Sequence, residues 1–255
     1  MDQIASDLAD FLVTRFATIP ATHRLIVGIA GVPASGKSTL AQMLVDHTNA
    51  LLSGTPDEGA AILVGLDGWH LTRAQLDQFP DAKLAHDRRG AHWTFDGQSY
   101  VEFVRELRVP LNTLAAAAGG QEAVIYAPSF SHELKDPAPR AVAIHPKHRI
   151  VIIEGLYTFL GIEPWVEAAQ LLDERWWVGI SEEEAKERLV KRHVISGVAK
   201  DLEEAVWRAT ENDAPNGRFI KENMLQPTRI ISSVEDPVLK SPGLSCPTSL
   251  PQHLS

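Results

Sequence analysis

The chain has 255 residues, 44% hydrophobic and 22% charged, with a formal net charge of −9. That is a globular composition; its acidity argues against a nucleic-acid partner, which needs a basic footprint, and no apolar run approaches the roughly 18 residues that span a bilayer. The one cysteine, Cys246, lies in a Pro/Ser-rich tail and Asp2, Asp7 and Asp10 stand where a secretory signal would be basic; neither a disulfide framework nor a membrane is expected, and the expected location is cytoplasmic.

In chain order, Ile4, Leu8, Phe11, Leu12 and Phe16 share one face of a helix predicted over residues 3–17, which should pack beside the first strand. Residues 24–30 form a short β-branched run that reads as a buried parallel strand. Gly31-Val-Pro-Ala-Ser-Gly-Lys-Ser38 then fits G-x-x-x-x-G-K-[ST], the phosphate-binding loop. Leu40, Met43, Leu44 and His47 continue at helical spacing to about Asn49.

Strand, loop and helix in that order give the motif its meaning. Gly31 and Gly36 permit torsions that a Cβ opposes, so the amides of Val32, Pro33's neighbours, Ala34, Ser35 and Thr39 can line one concavity at a helix N-terminus. Lys37 can reach the β- and γ-phosphates and Ser38 can ligate Mg²⁺. A nucleoside triphosphate, ATP with Mg²⁺, is the expected cofactor.

Residues 61–66 read as a second buried strand ending in Asp67-Gly-Trp-His70, and 149–153 as a third ending in Glu154-Gly-Leu-Tyr157. Residues 175–180 make a fourth strand and 228–231 a last one. Residues 71–96 read as irregular, with Asp96 capping a helix carrying Tyr100, Phe103, Val104 and Leu107 on one face. Residues 115–120 look like a helix end or linker. Ala123–Tyr126 could be a short strand, followed by a proline-rich excursion over 127–146. Ser181 with Glu184, and Asp201 with Glu204, are capping signatures for helices over about 182–196 and up to about Asn212.

Strands alternating with helices predict a doubly wound, mainly parallel α/β sheet with helices on both faces and a helical lid. The expected organisation is one domain over 1–234, its lid at about 182–215, and a flexible tail over 235–255. Whether the chain forms a homodimer is left open.

Ligands of such sheets bind at the carboxyl ends of the strands. Asp67, at a strand end, can take the proton of an attacking hydroxyl; its other reading is a turn cap. Glu154 can hold Mg²⁺, or serve neighbouring backbone amides. Arg188 and Arg192 share a helix face and can close over a triphosphate, although Glu184 could equally make Arg188 part of a solvated ion-pair face. Arg88 and Arg89, among Gly, His, Trp and Phe, suit a small polar or anionic substrate; their other reading is an exposed arginine pair. His70, His92, His132 and His193 have no metal-ligand spacing. Trp165, Trp176 and Trp177 read as core.

Gly31–Ser38, Asp67–His70, the Arg88-Arg-Gly to Phe95-Asp96 stretch, Ile153–Leu156 and Arg188–His193, in that order, resemble the phosphoribulokinase/uridine kinase/pantothenate kinase family of P-loop small-molecule kinases. The resemblance covers about residues 20–232. It is narrowest to a nucleoside-kinase-like branch that includes a fungal group of ATP-dependent kinases. It implies that Asp67 is the catalytic base, Glu154 the metal-associated acid, and Arg188 and Arg192 lid arginines. Tyr126 and His132 fall where uridine kinases surround the nucleoside, with differing residues between them. The Arg88–Asp96 stretch looks instead like that of bacterial pantothenate kinase, and Ser196 stands where the uridine kinase lid has an arginine. The expected activity is phosphorylation of a small-molecule hydroxyl, with a nucleoside favoured and pantothenate or a sugar next. The rival reading, a nucleotide-dependent switch ATPase, finds no N-K-x-D and no L-S-G-G-Q segment.

Overall fold

The computed structural model describes residues 1–131, 133–195, 197 and 199–234; the expected tail over 235–255, with Cys246, lies outside them. The chain begins with α1 (Asp2–Phe16), β1 (Leu25–Gly31), α2 (Lys37–Leu51) and β2 (Ala61–Gly65), then a 3₁₀ turn over Leu66–Trp69. Two short helices, α3 (Arg73–Leu76) and α4 (Ala82–Asp87), precede α5 (Gly97–Arg108) and α6 (Leu111–Ala117). Next come β3 (Ile125–Ser131), β4 (Asp136–Ile144), β5 (Ile150–Glu154), α7 (Trp165–Leu171) and β6 (Glu174–Gly179). The described part ends with α8 (Glu182–Ile195), α9 (Leu202–Arg208), a π turn over Ala209–Asp213, α10 (Ala214–Asn223) and β7 (Arg229–Ser232).

Five strands form one parallel sheet in the order β2-β5-β1-β6-β7. Both faces are covered, so β1 is buried along its whole length and β5 along all but its last residue. The period-2 alternation of β1 sorts its side chains between two cores. Leu25, Val27 and Ile29 pack with Leu12 of α1 and Leu40 and Leu44 of α2; Ile26 and Ala30 pack with Val104 and Leu107 of α5 and Ala168 of α7. The doubly wound parallel sheet is therefore as the sequence predicts. From β1 the chain first builds to one side, through β2, and later to the other, through β6 and β7. The carboxyl end of β1 is thus the point where winding reverses, and ligands of such folds bind there.

Trp165, Trp176 and Trp177 fill these cores, with Trp176 fully buried beside Phe11 of α1. The sequence reading differs from the structure in four places. The irregular 71–96 segment contains α3, with a Thr72–Gln75 capping box, and α4, capped by Asp81. Residues 115–120 are a helix end, one of their two readings, but the helix they end is a separate one, α6, that starts after Pro110 and is not among the expected elements. The proline-rich 127–146 excursion is an antiparallel hairpin, with Tyr126 opposite Ala143; its register shifts between Ala127 and Ser129, where Pro128 has no N–H to give the ladder. Finally, the helix expected to stop near Asn212 continues through the π turn into α10. Pro215, which has no N–H to donate, stands just after the π turn, where the regular α ladder is already interrupted. Among the described residues no helix is long and apolar enough to cross a membrane.

At the amino end of the sheet, His148 accepts a hydrogen bond from the His145 amide at 3.1 Å. Burial, then the charges of Lys147 and His145, lowers its pKa from 6.5 to about 4. The unfolded chain takes up this proton at a pH where the folded chain does not, so folding stability falls as pH drops from about 6.5 towards 4. Thermal melting should show a loss across that window that is smaller in His148→Gln; equal slopes in the two proteins would reject this origin.

Candidate active site

The phosphate loop leaves β1 at Gly31, where a Cβ would lie 2.6 Å from Ser35 Oγ and 2.8 Å from the Val178 carbonyl oxygen. Ala34 (φ +63°) and Gly36 (φ +85°) adopt left-handed torsions within the loop. Alternating hand turns successive amides toward one side, giving the anion-binding concavity that precedes α2. Lys37, Ser38 and Thr39 form the first turn of that helix. Ser38 is exposed, and Lys37 and Ser38 both line a cleft of about 460 Å³.

Asp67 reaches the same cleft from the 3₁₀ turn directly after β2, with 63% of its side chain exposed. His70 Nε2 lies 3.9 Å from Asp67 Oδ1. Burial, opposed by Asp67 and reinforced by Arg89, holds His70 down at about 4, so its ring is neutral near pH 7. That ring stacks on Phe95 at 3.9 Å and meets Phe130 edge-on at 5.3 Å. An aromatic wall therefore stands beside the most exposed carboxylate of the cleft.

Glu154 ends β5 and is nearly buried. Desolvation raises its carboxyl pKa, opposed by Lys37, whose Nζ is 3.6 Å away, and by a hydrogen bond from Ser38. A hydroxyl and a buried carboxylate side by side are hard oxygen donors of the type Mg²⁺ prefers. The desolvated carboxylate is also stabilised by added positive charge. The residues fit the ion.

The arginines divide. Arg192 lines the cleft. Arg188, expected to share its role, is 6% exposed and bonds instead to Glu184, Ser233 and the Val234 carbonyl. The helical period gives the two a common face, but the chain leaving β7 covers only the earlier turn. The Glu184 carboxylate goes to Arg188, so only the Ser181 half of the predicted capping box forms.

Arg89 lines the cleft, yet its guanidinium is taken by the carbonyls of Lys135 and Leu71 and by Asp136; it clasps the β3–β4 hairpin. Arg88 is not among the cleft-lining residues; its charge acts on Tyr157, whose hydroxyl donates to the carbonyl of Gly90 at the cleft wall. Tyr126 lines a neighbouring cavity of about 510 Å³ that shares only the His70 wall, and Arg140 stacks on its ring at 3.7 Å. His132 lies outside the described residues.

Four cleft residues with polar side chains escaped the sequence reading as site candidates: His193, Asn212, Asp213 and Asn216. His193 Nε2 lies 2.9 Å from Asp213 Oδ2, and Asn212 donates to the Arg89 carbonyl. The π turn brings them together, because its extra residue turns Asn212 and Asp213 toward the cleft. The signal available was weak: two asparagines at i, i+4 spanning a proline.

The chain is 47% identical to an ATP-dependent kinase-like protein of Aspergillus versicolor over 160 residues, 63% of this chain and 89% of that one. It is 32% identical over 224 residues to the Schizosaccharomyces pombe protein named "Putative uridine kinase C227.14", covering 87% of this chain and 88% of that one. The solved structure of YFH7 from Saccharomyces cerevisiae matches with a TM-score of 0.71 at 24% identity, over 92% of this chain and 98% of that one, a likeness of fold. No family model matches the sequence.

Proposed function

The chain belongs to the phosphoribulokinase/uridine kinase family of P-loop kinases, and from that membership we propose that it transfers the γ-phosphoryl group of ATP to a hydroxyl of a nucleoside-like metabolite. The observation that carries the reading is one cleft in which the phosphate loop, Lys37, Asp67 and Glu154 converge at the carboxyl ends of β1, β2 and β5.

Lys37 and the loop amides hold the phosphates, and phosphoryl transfer then depends on positioning and charge stabilisation. Asp67 orients the acceptor hydroxyl and takes its proton as the bond to phosphorus forms. Arg192 supplies positive charge from α8, within a lid spanning about residues 182–215 of a single domain. Ser38 and Glu154 would hold Mg²⁺, whose contribution when bound is neutralisation of charge on the phosphate oxygens. Glu154→Gln keeps the shape and removes the charge; it should raise the Mg²⁺ concentration for half-maximal rate about tenfold or more. An unchanged Mg²⁺ requirement would remove Glu154 from the metal site.

The aromatic wall of His70, Phe95 and Phe130 beside Asp67 favours an acceptor with a flat ring. The amides of Asn212 and Asn216 would instead suit a polyhydroxylated sugar, the second reading. ADP release with Mg·ATP should therefore be measured across nucleosides, pantothenate and simple sugars, with Lys37→Ala as blank. Strong stimulation by a nucleoside supports the first reading. Stimulation by sugars or pantothenate alone overturns it.

A further inference from the structure

We propose that Arg188 and Ser233 are positioning residues that set the orientation of one phosphate-loop peptide, so that Arg188 acts on ATP binding through the loop and not through the transferring phosphoryl group. This rests on the nucleotide site proposed above.

Ser233 directly follows β7, and its amide is fixed by the Gly179 carbonyl at 2.7 Å. Its hydroxyl donates to the Ser35 carbonyl at 2.7 Å. The same oxygen accepts from Arg188 Nη1 at 2.9 Å, and Nη1 also reaches the Val234 carbonyl at 3.3 Å. Glu184 holds the other end of the guanidinium. The result is a directed chain: guanidinium to hydroxyl to loop carbonyl. A hydroxyl polarised by a cation is a stronger donor, so the links reinforce one another.

The carbonyl at its end is not an arbitrary one. The peptide joining Ser35 to Gly36 is planar, and in the trans form its C=O and N–H point in opposite directions. Drawing the Ser35 oxygen out toward Ser233 therefore aims the Gly36 N–H the other way, into the concavity shaped by the left-handed Ala34 and Gly36. Glycine offers little resistance to rotation of a peptide beside it, so this plane needs an outside anchor. Ser35 itself is fully buried, and neither Ser35 nor Ser233 is among the cleft-lining residues. Arg188 is likewise buried, where a cation is stabilised only by such partners.

The test is calorimetric titration with ADP and with AMP, which lacks the β-phosphate, on wild type, Ser233→Ala, Ser233→Thr, Arg188→Ala and Lys37→Ala. Ser233→Ala and Arg188→Ala should each reduce the preference for ADP over AMP about tenfold, the size expected for one hydrogen bond to a charged group. Ser233→Thr keeps the hydroxyl and should restore it. Partial misfolding would lower the number of sites and leave the ratio alone. An unchanged ratio in Ser233→Ala, with Lys37→Ala still losing ADP, overturns the relay and leaves the nucleotide site standing. Arg188→Ala that binds ADP normally but transfers phosphate slowly also overturns it. Wild type that binds neither nucleotide would sink the nucleotide site, and the relay with it.

Discussion

Replacing Asp67 by asparagine is expected to lower turnover by about 10²–10⁴-fold, the range over which a positioned general base acts. The side chain keeps its size and its place on the 3₁₀ turn after β2, but it no longer takes a proton. Because Asp67 is largely exposed and belongs to the turn after β2, not to the phosphate loop, ADP affinity and melting temperature should stay near wild type. The kinetic signature is therefore a fall in kcat at unchanged nucleotide affinity. Wild-type turnover in Asp67→Asn would remove the residue as base; a parallel loss of ADP binding would make it part of the nucleotide site instead.

Gly68→Ala should be nearly as damaging, by a different route. A Cβ at Gly68 would sit 2.4 Å from the Pro128 carbonyl oxygen, 2.6 Å from its carbon and 2.9 Å from the Ser129 nitrogen. All three atoms are backbone of β3, so no rotamer change relieves the contact. Either the hairpin or the turn must move, at a cost of roughly 1–3 kcal/mol for overpacking. The turn carries Asp67, and a displacement of about 1 Å from reacting geometry can lower a rate about 10²-fold. Melting temperature and kcat should thus fall together. Gly65→Ala, three residues earlier with nothing within 4 Å of its added Cβ, is the control and should leave both near wild type. If Gly68→Ala behaves like Gly65→Ala, the hairpin does not set the position of Asp67.

These two residues illustrate what the sequence could and could not reveal. The phosphate loop and the carboxylates at the ends of β2 and β5 are legible because they are local. A buried strand, a motif and a helix follow one another without interruption, and strand ends in a parallel sheet share one edge. The hairpin was hidden because pairing Tyr126 with Ala143 is a non-local event, and Pro128, Pro137 and Pro139 suppress the strand signal in both halves. Arg89 read as a substrate ligand because sequence spacing cannot show that Asp136 and the Lys135 carbonyl will occupy its guanidinium. Arg188 and Arg192 are indistinguishable by period, and only the path of the chain after β7 separates them. The group His193, Asn212, Asp213 and Asn216 depends on one extra residue in a π turn, for which the sequence carries no strong marker.

Asp67 and Glu154, two of the three cleft carboxylates, sit in opposite surroundings. Glu154, buried beside Lys37 and Ser38, is the one proposed for the cation, and Asp67, in solvent beside an aromatic wall, the one proposed for the acceptor. A nucleotide switch would need the first arrangement and have no use for the second.

The most direct measurement is mass spectrometry of a small-metabolite extract incubated with the protein and Mg·ATP, with Lys37→Ala run in parallel. The account predicts that ADP forms together with at least one metabolite carrying an added phosphoryl group, in the wild-type reaction alone. ADP matched mole for mole by inorganic phosphate, with no phosphorylated metabolite, would contradict it.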